Sequence, residues 1–148
     1  MSQETSLQRF IDAQATSYPV ALSEIQRGRK QSHWMWYIFP QLRGLGVSAT
    51  AQHYGIQGRS EAQAYAQHPV LGPRLVHISE ALLALADNNA TRILGSPDDM
   101  KLKSSMTLFA ALPQAPPVFQ QVLDKFYQGK PDEQTLRLLG PSATGQAT

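Results

Sequence analysis

The sequence predicts an all-α fold: a single compact domain of about seven helices over residues 1–140, with no sheet, followed by a disordered polar tail, PSATGQAT, at 141–148. Apolar residues recur at helical spacing, most clearly Leu71, Leu75, Ile78, Leu82 and Leu85, which lie 4, 3, 4 and 3 apart. Residues that start and stop helices punctuate the chain at matching intervals. No run combines strict apolar and polar alternation with the valine, isoleucine and threonine content that a half-buried strand needs.

Thr5 and Gln8 have capping-box spacing ahead of Leu7, Phe10 and Ile11, which share one face of a first helix. Pro19 is expected to open a second helix carrying Leu22 and Ile25, with Gly28 as its stop. Ser32 is a candidate cap for a short aromatic helix that must end before Pro40. The glycine-rich stretch PQLRGLGVSATAQHYGIQG reads as a loop with at most two helical turns around Ala49 to Tyr54. Ser60 and Gln63 repeat the capping-box spacing before a helix that ends near His68, and the apolar stripe from Leu71 then defines a long helix with Pro73 in its first turn. In SPDDMKLKSSMTLFAAL, Ser96 reads as cap, Pro97 as the first helical residue, and Asp98 and Asp99 as acids at the positive end of the dipole. Pro116 and Pro117 introduce a helix with Phe119, Val122, Leu123 and Phe126 that Gly129 stops, and Asp132 caps a last one through Leu139.

Composition narrows the function classes. With 148 residues and 42% hydrophobic content, the chain is long enough for one proper core. Thirteen cations against eleven acids give a net charge of +2, too small an excess for wholesale phosphate neutralisation, which argues against a nucleic-acid-binding protein. The distribution is less even: no acid falls between Glu24 and Glu61, while Arg27, Arg29, Lys30, Arg43 and Arg59 do. Absence of cysteine excludes disulfides, thiol nucleophiles and thiolate metal sites. The N-terminus does not read as a signal peptide, and the longest apolar run, Trp34 to Phe39, is far short of a membrane span. A soluble, cytoplasmic protein without membrane association is the resulting expectation, with a monomer as the default.

The segment GRKQSHWMWYIFPQLRGLG, residues 28–46, is the densest in aromatic and basic side chains. If Ser32 to Phe39 is helical, apolar side chains point all the way round it, and Trp34, Met35, Ile38 and Phe39 are expected in the core. His33, Trp36 and Tyr37 share one face of such a helix. Their polar atoms need partners, so this face is the candidate wall of a ligand pocket with Arg29, Lys30 and Arg43 at its mouth. Flat rings beside cationic groups suit a nucleotide-like or other anionic ligand. In KLKSSMT, Lys101 and Ser105 are candidates for a facing wall, although local sequence favours a solvent-facing role for Lys101, Ser104 and Ser105. His33 is the candidate acid or base.

Other patterns carry less. GLGVS lacks the third glycine and the preceding strand of a dinucleotide fingerprint, leaving only a weak anion-site signal at the turn before Ser48. His33, His53, His68 and His77 show no metal-ligand spacing, and His68 reads as a residue that caps or packs. No nucleophile elbow occurs, and neither a metal nor a cofactor is expected. Asp99 and Lys103, four apart, can pair on a helix surface.

Three stretches, GRKQSHWMWYIFPQLRGLGVSATAQHYGI, HPVLGPRL and SPDDMKLKSSMTLFA, together resemble the signature segments of a family of small bacterial proteins known as a domain of unknown function. Some members carry an inherited calpastatin label. The resemblance spans about Leu7 to Leu139 and implies a compact all-helical domain, with no catalytic residue to carry over. The calpastatin label conflicts with the residues themselves: such an inhibitor is a charge-rich chain that folds on binding, whereas this sequence has the apolar content of a self-sufficient core. Three functions remain: a small-molecule-binding protein or enzyme at segment 28–46, a protein-interaction module with Trp36 and Tyr37 as exposed anchors, and a weak nucleic-acid binder through the acid-free segment.

Overall fold

The computed structural model describes residues 3–140, so the tail at 141–148 lies outside the described residues. Nine helices occur among them: α1 (Gln3–Gln26), α2 (Met35–Ile38), α3 (Ala49–Tyr54), α4 (Arg59–Gln67), α5 (Leu71–Ala84), α6 (Ala90–Leu94), α7 (Asp98–Ala110), α8 (Val118–Tyr127) and α9 (Glu133–Leu139). The described residues form no sheet. One isolated parallel bridge pairs Leu42 with Ile56, through Arg43 N–H to the Ile56 carbonyl at 2.7 Å and Ile56 N–H to the Gln41 carbonyl at 2.9 Å.

The first two expected helices are one. The chain runs unbroken from Gln3 through Pro19 to Gln26, so the helix also begins upstream of Thr5. Leu7, Phe10, Gln14, Ala21 and Ile25 are all buried, giving one continuous face whose burial outweighs the hydrogen bond that proline removes. Pro19 and Ala15 are both exposed, so the carbonyl that loses its donor faces solvent. Gly28, with φ near +80°, turns the chain out of the helix as expected.

Helix α5 is the central element and packs against α1, α4 and α8. Its stripe of Leu71, Leu75, Ile78 and Leu82 is buried throughout. His68 Nδ1 accepts from the Val70 and Leu71 amides at 3.0 and 3.3 Å and so caps the start of α5. At its other end the Lys125 ammonium, reaching over from α8, donates to the Leu82, Leu83 and Leu85 carbonyls. Gly72 allows the close approach of α4, since a Cβ there would lie 2.2 Å from the Ala66 carbonyl oxygen.

Several caps shift from their expected places. Helix α4 starts from Gly58, not Ser60, and Gln63 Oε1 has no hydrogen-bond partner, so no capping box forms. Pro97, not Ser96, holds the cap position of α7. Asp132 does cap α9, accepting from the Thr135 amide at 2.9 Å. Helix α6 was not expected; Asn89 caps it by accepting from the Arg92 amide at 2.9 Å. Among the described residues no helix is long and apolar enough to cross a membrane.

Candidate functional site

The segment 28–36 is shaped by a carboxylate that sequence reasoning passed over. Glu24, in the last turn of α1, is 2% exposed. It accepts from Gln31 N at 2.8 Å, Ser32 N at 3.0 Å, Ser32 Oγ at 2.6 Å and Trp34 Nε1 at 2.9 Å. Burial alone pushes its pKa up, but the hydrogen bonds from Ser32, Gln31 and Trp34 outweigh it and hold the pKa at about 2. Ser32 therefore serves Glu24 and does not cap a helix. The aromatic helix is only α2, a single turn that begins after Trp34 with no side-chain cap.

That short turn separates residues expected on one face. Trp34, Met35, Ile38 and Phe39 are buried, as expected. Tyr37 turns toward α1 and α3: its hydroxyl lies 3.1 Å from Ser17 Oγ and donates to the His33 carbonyl at 3.3 Å, while its ring packs 5.2 Å from Tyr54. Trp36 turns the other way, into a cleft of about 420 Å³ shared with Lys30, Gln31, His33, Asp98 and Lys101.

Lys30 and Lys101 meet in this cleft on one carboxylate. Lys30 Nζ lies 2.9 Å from Asp98 Oδ2 and Lys101 Nζ lies 3.4 Å from Asp98 Oδ1. The Lys30 side chain is only 8% exposed and that of Asp98 18%, so solvent screens the first pair incompletely. Each ammonium also sits over an indole, Lys30 at 5.1 Å from the Trp34 ring and Lys101 at 5.1 Å from the Trp36 ring. The loop and α7 are brought into register by Lys30 N–H, which donates to the Ile93 carbonyl of α6 at 2.7 Å. Thr91 Oγ1 then donates to Asp99 Oδ2 at 2.6 Å and fixes the α6–α7 corner. That bond takes the acid expected to pair with Lys103, whose ammonium instead lies 5.9 Å from the Tyr127 ring centre.

Of the sequence candidates, Lys30, His33, Trp36 and Lys101 line the cleft, while Arg29, Tyr37, Arg43 and Ser105 do not. Arg29 and Arg43 are exposed, Arg43 on the Leu42–Ile56 bridge beside Gly55. Ser105 is fully buried, its Oγ without a partner, and Ser104 is buried too, donating to the Met100 carbonyl at 3.2 Å. The solvent-facing expectation for these two serines is corrected: α7 packs against α4, α6, α8 and α9, and so is covered on several sides. Asp98, read from sequence as a dipole residue, is the cleft residue that was missed. The turn before Ser48 offers little to an anion, because Ser48 Oγ already accepts from the Ala51 amide at 3.1 Å.

The arrangement can hold an anion. A lysine ammonium has three N–H donors, and Asp98 uses one from each, which leaves donors on both free to face the cleft. Trp36 is half-buried and supplies a flat apolar surface beside them, and the imidazole of His33 is exposed at the rim. Among the described residues no group of three or more histidine, aspartate or glutamate side chains is placed to hold a metal. A groove of about 460 Å³ between α5 and the start of α8, lined by Val76, Leu83, Pro117 and Val118, contains Glu80 as its sole charged residue and lacks any convergence of polar groups.

Comparison with known proteins agrees with this fold. A crystal structure of the conserved hypothetical protein Rv1873 from Mycobacterium tuberculosis is 47% identical and superposes with a TM-score of 0.89, over 91% of this chain and 96% of that one. No match was found among curated proteins. Residues 4–139 match the family described as protein of unknown function (DUF1810), and the chain belongs to that family.

Proposed function

We propose that the protein binds an anionic small molecule carrying a flat ring, a nucleotide being the class that fits best, in the cleft between segment 30–36 and the start of α7. One observation carries this reading: Lys30 and Lys101, seventy-one residues apart in sequence, converge on the single carboxylate of Asp98 in a cleft whose wall is the half-buried Trp36. The ammonium groups would hold the anion and the indole would take the ring. His33 stands at the rim as the imidazole through which a proton could pass to or from a bound molecule. An interaction module anchored on Trp36 and Tyr37 is less well supported, since both rings are half-buried and the Tyr37 hydroxyl already has partners within the protein.

The test is a thermal-shift screen against nucleotides, nucleosides and sugar phosphates, because a ligand that binds only the folded state raises its apparent stability. A nucleotide is expected to raise the melting temperature of the wild type and not of Lys101→Ala, whereas Lys130→Ala, an exposed lysine that does not line the cleft, should respond like the wild type. An equal response from all three proteins would remove the cleft from consideration.

A further inference from the structure

Resting on that reading of the cleft, we infer that its anion subsite takes a doubly charged phosphate monoester, the terminal phosphate of a nucleotide, in preference to a singly charged phosphodiester, and that Asp98 holds the affinity for both down. The charged side chains that line the cleft besides the imidazole of His33 are Lys30, Lys101 and Asp98. Two ammonium groups and one carboxylate leave a net positive charge, and its attraction for an anion grows with the charge that the anion carries. The Lys101 side chain is 26% exposed, so a bound phosphate stays in contact with water and the larger hydration cost of a dianion is incurred only in part.

The donors point to the same ligand. Both cations of the cleft are lysines, which hold phosphate as point charges, while Arg29 and Arg43, whose planar forks would suit a carboxylate, do not line it. With one donor on each ammonium given to Asp98, up to four remain for the three terminal oxygens of a monoester, whereas a diester offers only two. Ser96, Pro97 and Asp98 bring the start of the thirteen-residue α7 to the cleft, and the positive end of its dipole adds to the field there. The amides of Asp99, Met100 and Lys101 already donate to the Gly95 and Pro97 carbonyls, so the contacts themselves fall to the ammonium groups. Glu24 is buried behind Gln31 and Trp34 with four donors on its carboxylate, which leaves Asp98 as the negative charge at the cleft wall. Asp98 gathers the two lysines and competes with the ligand for them.

Isothermal titration at pH 8 and low salt, where imidazoles are neutral and phosphate monoesters doubly charged, tests this with adenosine 5′-monophosphate and its 5′-methyl ester, a monoanion, as probes. The monophosphate is expected to bind the wild type about fivefold more tightly than the ester, the effect of one further charge near a net positive one. Asp98→Asn keeps the side-chain shape and removes the competing charge, so the preference for the monophosphate should widen by a further factor of about two or more. Any loosening of the lysines in that variant, and any steric effect of the methyl group, is common to both measurements and cancels in the ratio. An ester that binds the wild type as tightly as the monophosphate would overturn the selectivity and leave the cleft standing as an anion site. A ratio unchanged by Asp98→Asn would place the phosphate away from Asp98 and overturn the inference in the same way. Binding of neither probe, together with a silent nucleotide screen, would overturn both the inference and the reading of the cleft on which it rests.

Discussion

Glu24 and Asp98 both contact the loop that carries Lys30 and Trp34, and they are held in opposite ways. Glu24 is buried and surrounded by neutral donors, namely two backbone amides, a hydroxyl and an indole N–H. Every one of those donors is committed to it. Asp98 is held by two ammonium groups, each with further donors to offer, at the wall of an open cleft. The first carboxylate organises a loop, and the second shares its partners with whatever enters. The contrast teaches that a charged residue's role follows from the spare capacity of its partners more than from its own burial.

The largest expected difference is in stability. Glu24→Ala leaves four donors without their acceptor, some of them buried, and should cost about 3 to 5 kcal/mol in urea unfolding. Asp98→Ala should cost less than about 1 kcal/mol, because its pairs are partly hydrated. Equal losses would break the comparison. Acid sensitivity follows from the same carboxylate. The folded pKa of Glu24, about 2, lies below the ordinary 4.5, so its contribution is fully present above pH 4.5 and is lost as pH falls toward 2. That window corresponds to about 3 kcal/mol. Acid titration of unfolding should show the loss in wild type, and Glu24→Gln should flatten it.

Lys30→Ala should cost about 1 to 2 kcal/mol by chemical denaturation, since the side chain gives up both its ion pair and its packing over Trp34. The smallest effect is that of salt. A tenfold rise in ionic strength should lower wild-type stability by a few tenths of a kcal/mol more than that of Asp98→Asn, whose ion pairs are already gone.

Much of the fold was legible because its signals are local. The stripe of α5, the Asp132 cap, the Gly28 turn and the burial of Trp34, Met35, Ile38 and Phe39 follow from spacing and residue type within one segment. What sequence could not show were pairings across long separations. Pro19 looked like a helix start because the continuous buried face through it depends on helices packed from elsewhere. Ser105 looked exposed for the same reason: α7 is enclosed by elements that its own sequence does not encode. Half the cleft was legible as an aromatic and basic cluster, yet Asp98 was assigned to the helix dipole because Lys30 lies sixty-eight residues away from it. One signal for Glu24 was present. Glu24 and Glu61 bound the acid-free segment, and both are buried, at 2% and 4% exposure. Each serves as an acceptor for neighbouring backbone, Glu61 also receiving Arg9 at 3.1 Å and the Gln57 amide at 2.9 Å. Acids at the edges of such a gap are natural anchors for it.

The chain has two tryptophans, and they divide along the same line as the two carboxylates. Trp34 Nε1 is buried against Glu24, whereas Trp36 lines the cleft. The most direct test is therefore a titration of ¹⁵N-labelled protein with a nucleotide that raises its melting temperature, following the two indole N–H signals, assigned with a Trp36→Phe variant. The Trp36 signal is expected to move in proportion to occupancy while that of Trp34 shifts far less. A stabilising ligand that leaves the Trp36 signal in place would put the binding site elsewhere and contradict the account.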